Sequence, residues 1–162
     1  MVGSVTDTYA AAVGNGLTDV GSATLVGVVR RPPRWFHGVV AENHRELGPS
    51  AALLDEVQER RERLKAGGMC DEGAHNAAWE EVEFERRYAE YLDTGEEARA
   101  ALESLADRVR GGEPLALVCF EGPNKACHRR LLADRLRGRV ERAGENTPDR
   151  ESQAVGHSTD SQ

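Results

Sequence analysis

The chain has 162 residues, 39% of them hydrophobic, and a formal net charge of −7. This length predicts one domain with a short tail. No apolar run approaches the roughly 18 residues that a membrane span requires. The N-terminus has no basic segment followed by an apolar stretch, so we expect a cytoplasmic protein with no membrane partner. The acidic balance does not favour general nucleic-acid binding, which needs a broad basic face.

The charged and sulfur-bearing residues also indicate the environment of the protein. Three cysteines follow no spacing typical of small disulfide frameworks, so reduced thiols are expected. Only Lys65 and Lys125 are lysines, and all other cationic side chains are arginine. An acidic, lysine-poor surface suits high internal salt, because screening weakens repulsion between like charges. We therefore expect a high-salt adapted protein, although a GC-rich genome alone would also produce the arginine bias.

The first quarter of the chain predicts one short helix and one strand. The pattern over Thr6–Val13 predicts a helix that is capped by Thr6 or Asp7 and ended by the glycines that follow it. Thr24–Arg30 is a β-branched run and a good strand. Pro32 and its neighbouring proline end that strand, because proline cannot donate to a ladder.

Apolar residues at helical spacing predict three helices in the middle of the chain, over Ser50–Ala66, His75–Leu92 and Gly95–Val109. Ser50 is the expected cap of the first helix, and Thr94 is the expected cap of the third. A loop over Met69–Gly73 separates the first two.

A second strand and a final helix carry most of the chemistry of the sequence. Leu115–Cys119 is a continuous apolar run, which is typical of a buried strand in a mostly parallel sheet. A glycine–proline loop follows it, and then a helix from Ala126 to Val140. Beyond that helix the chain is polar. We predict a single domain over 1–142 and a disordered tail over 143–162.

Together these elements predict a helix-rich α/β fold, with a small, mostly parallel twisted sheet flanked by helices. Two strands cannot make an independent sheet. One or two further strands are therefore expected, around Gly38–Val40 or near Gly68–Cys70.

Cys127 is the strongest candidate for a reactive group. At a helix N-terminus, unpaired N–H groups and nearby cations stabilise a thiolate. His128 would accept its proton, and Glu121, directly after the strand, would act as a second proton handler. The simpler alternatives are a small buried cysteine and an exposed loop carboxylate.

Cys119 ends the apolar strand and is either a core residue or a second functional thiol. The functional interpretation places its sulfur at the edge of the sheet, beside Cys127. The two thiols would then cycle through a disulfide or share a metal.

Several cations are expected around the same edge of the sheet. If the two predicted strands are parallel neighbours, Arg30 and Arg31 approach Lys125 and Arg129. Converging cationic groups favour phosphate or carboxylate. Trp35 would stack on a ring of the ligand, or simply pack over the edge of the sheet.

A zinc site is the competing chemical interpretation. The available ligand atoms belong to Cys70, His75, Cys119, Cys127 and His128. Their spacing matches no common zinc module, so we predict no bound metal and interpret His75 as an early helix residue.

The residues at the second strand resemble those of a known family. Cys119-Phe-Glu121 followed by Cys127-His-Arg129 resembles the signature of the DUF488 family, a "cysteine–x–glutamate" segment before "cysteine–histidine–arginine". Val29-Arg-Arg-Pro32 and Phe84–Thr94 resemble two further segments. The resemblance covers roughly 24–140, and it implies a compact α/β domain with a site, but no particular reaction.

The chain departs from the family pattern in three places. Val28 stands where the family has an aspartate. The early family strand has no clear counterpart, and the short strand after the last helix is replaced by the polar tail.

Our leading hypothesis is an enzyme-like domain with a thiol-containing, anion-binding crevice. Its ligand would be a small phosphorylated or carboxylated molecule, such as a nucleotide. The alternatives are a non-catalytic module that binds a nucleotide, a nucleic-acid end or a protein, and a Cys119/Cys127 redox pair. The sequence does not identify a cofactor.

Overall fold

Four parallel strands form the centre of the fold. The computed structural model describes residues 2–16, 20–122 and 124–145. The strands are Val5–Tyr9 (β1), Thr24–Gly27 (β2), Glu42–Asn43 (β3) and Leu115–Cys119 (β4). They lie in the order β1-β4-β2-β3, and every neighbouring pair is parallel. The carboxyl ends of all four strands therefore meet at one edge of the sheet.

Helices surround this sheet, which confirms the predicted helix-rich α/β fold. The helices are Ala10–Gly14 (α1), Ala51–Ala66 (α2), Asp71–Glu81 (α3), Phe84–Thr94 (α4), Glu96–Arg110 (α5) and His128–Glu145 (α6). Two short 3-10 helices cover Arg34–Gly38 and Arg45–Leu47. Along the described ranges, every helix is too short or too polar to cross a lipid bilayer.

The sheet is covered on both faces. In β4, Leu115 and Leu117 pack in the larger apolar cluster, which includes residues of the five long helices. Val118 points into a smaller cluster with Phe36 and Val29. All five residues of β4 are buried, which explains why this strand reads as a continuous apolar run.

The N-terminal segment differs from its prediction. Val5–Tyr9 is strand β1, paired with β4 from Val5↔Leu115 to Tyr9↔Cys119, and only Ala10–Gly14 is helical. The predicted helix over Thr6–Val13 is therefore wrong in its first half. Valine, threonine and tyrosine favour strands, but the partner strand lies far away in the sequence. An early strand is thus present where the sequence offers no clear counterpart of the family pattern.

The remaining strand is β3, directly after one of the two segments where a hidden strand is expected. Its Asn43 side chain continues the ladder beyond the strand: it accepts from the Val29 N–H at 3.0 Å and donates to the Val29 carbonyl at 2.9 Å. This side chain fixes the backbone just before Arg30. The other expected segment, Gly68–Cys70, connects α2 to α3 instead.

The predicted helix over His75–Leu92 is wrong, because it is two helices. α3 ends at Glu81, and Glu83 adopts a left-handed backbone conformation with φ of 53° before α4 begins. The helical spacing of apolar residues hides this break. Ser50 caps α2 as predicted, with its side chain accepting from Leu53 N–H. Thr94 does not cap α5; Gly95 stands at that position.

The last helix is longer than predicted. α6 continues to Glu145, beyond the expected end at Val140 and into the first residues of the predicted tail. The rest of that tail lies outside the described residues, so the domain boundary at residue 142 stays a prediction.

The left-handed residue between α3 and α4 leads to a stability prediction. Glycine adopts this conformation without the steric cost borne by other residues. We expect Glu83→Gly to raise the free energy of unfolding by about 0.5–1 kcal/mol, measured by urea denaturation.

Glu90→Gly is the matched control for this change. Both carboxylates pair with Arg86, so both variants lose one exposed ion pair. Glu90 lies inside α4, where glycine should lower the free energy of unfolding by about 1 kcal/mol. Equal losses in the two variants would contradict the role given to the backbone at Glu83.

Candidate functional site

A crevice of about 190 Å³ opens at the carboxyl edge of the sheet. The ends of β2 and β4 and the start of α6 form one side, with Arg30, Glu121, Cys127 and His128 among the lining residues. α2 and α3 form the opposite wall. The parallel pairing of β2 with β4 creates this arrangement, because it brings the two strand ends side by side.

Cys127 lies directly before the first residue of α6 and is only 6% exposed. Burial of its sulfur disfavours the thiolate. The neighbouring Cys119 side chain, the Arg129 backbone N–H and the Arg129 charge outweigh burial and lower the pKa of Cys127 below its ordinary value. The sulfur thus lies at a helix N-terminus, where the backbone N–H groups favour negative charge.

His128 is buried beside Cys127 and holds a defined tautomer. Its Nε2 lies 2.6 Å from the Val28 carbonyl, which can only accept, so Nε2 carries the proton. In the neutral ring, Nδ1 is then a free acceptor, 3.8 Å from the Cys127 sulfur. Burial lowers the pKa of His128, which keeps the imidazole neutral near pH 7 and able to accept a proton.

Cys119 remains a thiol in this arrangement. Burial, and after it the neighbouring Cys127 sulfur, raise the pKa of Cys119 well above its ordinary value. The Cys119 thiol donates to the Glu121 carbonyl, with 3.9 Å between sulfur and oxygen. The two cysteines thus have opposite pKa shifts, which makes Cys127 the better candidate for a thiolate.

The loop before Cys127 is held from α3. The Asn76 side chain donates to the Asn124 carbonyl at 3.0 Å and accepts from the Ala126 N–H at 2.8 Å. His75 Nε2 lies 2.8 Å from the Ala126 carbonyl. The backbone just before the sulfur is therefore fixed by two neighbouring residues of one helix turn.

Arg30 lies at the end of β2 and lines the crevice. Its guanidinium donates to the Pro49 carbonyl and, at 2.8 Å, to the Tyr91 hydroxyl, both of which are neutral partners. Gly48 allows this close packing, because a Cβ there would lie 2.6 Å from the Arg30 backbone nitrogen. Arg30 therefore brings a positive charge to the crevice in a fixed position.

Arg129 does not line the crevice, which corrects the expectation that it meets a ligand. Its side chain is 3% exposed and forms an ion pair with Asp7, with 3.2 Å between Nε and Oδ1. Its Nη1 donates to the Cys119 sulfur at 2.9 Å and to the Glu121 carbonyl at 2.8 Å. This arginine instead connects β1, the end of β4 and the start of α6.

Three other predicted site residues lie at the margin or outside. Arg31 lines the crevice but is partly exposed and pairs with Asp55 at 2.7 Å. Lys125 lies in a neighbouring groove, where it pairs with Asp71 at 2.6 Å. Trp35 is 58% exposed on a 3-10 helix, and its ring contacts Phe36 edge-on rather than lining the crevice.

The sequence interpretation missed the wall formed by α2 and α3. Arg61, His75 and Trp79 line this wall. His75 and Trp79 are four residues apart and share one helix face, which is the only signal that the sequence offers. That signal is weak, because Trp79 also fits the apolar stripe of a core helix.

The described residues show no arrangement that supports the competing zinc interpretation. Among the described residues, no three histidine, cysteine or acidic side chains gather in a way that could hold a metal ion. His75 and His128 each donate to a backbone carbonyl, and Cys70 is exposed at the start of α3.

One comparison with known proteins gives a match. The family model described as "DUF488-N3a: Active DUF488-N3 subclade" matches residues 12–140. No curated protein and no solved structure matches the chain. The matched range contains β2, β4 and all the cysteines of the site.

The buried ion pair at Arg129 leads to a prediction. Asp7→Asn would leave this guanidinium without its carboxylate, and we expect the free energy of unfolding to fall by about 2–3 kcal/mol. Denaturation in guanidinium chloride is suitable for measuring this change, because the difference lies well above its error.

Asp55→Asn removes the carboxylate from the exposed Arg31 pair and is the matched control. An exposed pair contributes little, so its loss should cost at most about 1 kcal/mol. If both variants lost the same stability, the Asp7–Arg129 pair would not have the structural role described.

Proposed function

The chain belongs to the DUF488 family, and from this membership and the geometry of the crevice we propose a thiol-dependent enzyme that acts on a small phosphorylated or carboxylated molecule. One observation carries the proposal: the Cys127 sulfur lies 3.8 Å from a proton-accepting nitrogen of His128, inside a crevice lined by cationic side chains. The word "Active" in the description of the matched subclade agrees with catalysis.

The two side chains support nucleophilic catalysis. Cys127 attacks an electrophilic carbon or phosphorus of the substrate with a sulfur lone pair, and its proton passes to His128 Nδ1. The bond to the leaving group breaks as the sulfur–substrate bond forms. The His128 imidazolium then returns the proton to the leaving group, and water releases the product from the sulfur in a second step. The lowered pKa of Cys127 and the raised pKa of Cys119 support Cys127 as the attacking residue.

The charge of the crevice supports an anionic substrate. Arg30, Arg31 and Arg61 line it together with a single carboxylate, that of Glu121. This local positive balance contrasts with the net charge of −7 of the whole chain. Guanidinium groups bind carboxylate and phosphate oxygens well. Arg30 is the clamp that we favour, because its present partners are neutral and leave its charge uncompensated.

Glu121 is the second proton handler in this proposal. Its side chain is partly buried at the rim of the crevice, 3.8 Å from Lys125 Nζ. A carboxylate at this position can receive a proton from a substrate or a water molecule. Arg129 acts as a positioning residue, since its contacts go to Cys119 and to the backbone of Glu121.

A redox pair is the second candidate, because Cys119 and Cys127 are both buried free thiols that line the same crevice. With a hydroperoxide as oxidant, the two thiols would give two electrons and two protons, forming a disulfide, an alcohol and water. Mass spectrometry after hydroperoxide treatment decides this point. The absence of a Cys119–Cys127 linkage removes the candidate.

The proposal places the protein in a reducing cytoplasm. All three cysteines are free thiols, and two of them share the crevice. A nucleophilic thiol of lowered pKa needs such an environment to stay reduced.

The opposite pKa shifts of the two buried cysteines make a direct test. With iodoacetamide at a series of pH values, we expect the alkylation rate of Cys127 to reach half of its plateau below the pH of an ordinary thiol, about 8.5. For Cys119 this midpoint should lie well above that value. Peptide mass spectrometry follows each cysteine separately, and near pH 7 Cys127 should react at least about tenfold faster than Cys119.

Two variants complete this experiment. Cys127→Ala should abolish the reaction at low pH, whereas Cys70→Ser, which keeps a hydrogen-bond acceptor at the start of α3, should leave it unchanged. Ordinary midpoints for all three thiols would overturn the nucleophile assignment. If the crevice still bound an anion in that case, a non-catalytic binding module would be the better interpretation.

A further inference from the structure

The wall formed by α2 and α3 contains buried polar atoms that make no hydrogen bond in the protein, although Arg61 Nε lies 3.8 Å from the Glu62 carboxylate. Among the described residues, five buried side-chain nitrogens make no hydrogen bond, and three of them belong to residues that line the crevice. They are Arg61 Nε, His75 Nδ1 and Trp79 Nε1. An unpaired buried polar atom is costly, so three in one wall indicate a partner supplied by a ligand.

Two of these side chains are buried: His75 and Trp79 are 5% and 8% exposed, respectively. His75 is held in place by its bond to the Ala126 carbonyl, and the Trp79 ring stacks on Phe84 with 3.5 Å between ring centroids. These two side chains are therefore fixed before a ligand arrives, whereas the Arg61 side chain is 24% exposed.

The chemistry of the three atoms defines what they can bind. Trp79 Nε1 and Arg61 Nε can only donate a hydrogen bond. His75 Nε2 donates to Ala126, so the Nδ1 of the neutral ring can only accept. A complementary ligand offers two acceptors and one donor, which is the hydrogen-bonding set of a cyclic imide with two carbonyls and one N–H.

The size and lining of the crevice restrict the ligand further. An apolar cavity of about 150 Å³ holds one benzene-sized ring. A crevice of about 190 Å³ therefore admits a single ring with small substituents. Leu54, Val57 and Phe84 provide apolar surface for the faces of such a ring.

We propose that the crevice recognises a single uracil-type ring that carries an anionic substituent. The α2–α3 wall binds the imide edge through Arg61, His75 and Trp79, and Arg30 at the opposite side binds the anionic group. This inference rests on the proposed function in one respect, namely that the crevice is the reaction site. It adds the chemical class of the substrate.

Calorimetry with four probes tests the inference on the wild-type protein. Orotate is a uracil ring with a carboxylate; uracil lacks the carboxylate, benzoate lacks the imide, and orotate methylated at the imide nitrogen lacks the donor. Each loss removes at least one hydrogen bond. We expect orotate to bind at least about tenfold more tightly than any of the other three.

Trp79→Phe keeps an aromatic ring and removes the N–H. It should weaken orotate binding about tenfold and leave benzoate binding nearly unchanged. Trp35→Phe, at the exposed tryptophan outside the crevice, should change neither. In that control variant Trp79 is the only tryptophan, so a saturable change in its fluorescence with orotate would locate the site.

Orotate binding no tighter than benzoate binding would overturn the inference, as would an unchanged affinity in Trp79→Phe. If Trp79→Phe does not fold, the comparison of orotate with its methylated form on the wild-type protein tests the inference instead. These binding measurements do not involve alkylation of Cys127. Their outcome is therefore independent of the test of the proposed reaction. Tight orotate binding beside an ordinary Cys127 would retain the ring site and remove the nucleophile.

Discussion

The parallel pairing of β2 with β4 is the constraint on which the rest of the structure depends. In register from Thr24↔Leu115 to Gly27↔Val118, it brings together two chain segments that are nearly a hundred residues apart. Open α/β sheets bind ligands beyond the carboxyl ends of their strands. In this fold arginines follow β2 a few residues beyond its end, and β4 ends at a cysteine with a glutamate shortly after it, so the pairing brings cationic side chains and thiols to one crevice.

Around that pairing, buried polar groups hold each other in place. Arg129 is almost completely buried because it has three partners: the Asp7 carboxylate, the Cys119 sulfur and the Glu121 carbonyl. Its charge and its backbone N–H both favour negative charge on the Cys127 sulfur. The same residue thus joins the edge strand β1 to the site and tunes the electrostatics of the site. A guanidinium in this position explains how a thiolate can form in an otherwise dehydrated place.

Local sequence patterns predicted some of these features and missed others for physical reasons. The buried run of β4 and the capping serine of α2 follow from short-range signals. β1 was missed because its identity as a strand depends on a distant partner. The break at Glu83 was missed because a single left-handed residue leaves the apolar spacing intact. Burial of Arg129 could not be foreseen, since its carboxylate partner lies at the other end of the chain.

The hydrogen bonds from His75 and Asn76 to the loop before Cys127 have a mechanical consequence. Ala126 is tied on both its N–H and its carbonyl to one turn of α3, and α3 packs mainly against α2 rather than on the sheet. The position of the Cys127 sulfur therefore depends on α2 and α3 as much as on β4. A shift of α3 by a fraction of an ångström would be transmitted through these bonds to the loop, changing the position of the Cys127 sulfur while the sheet stays still.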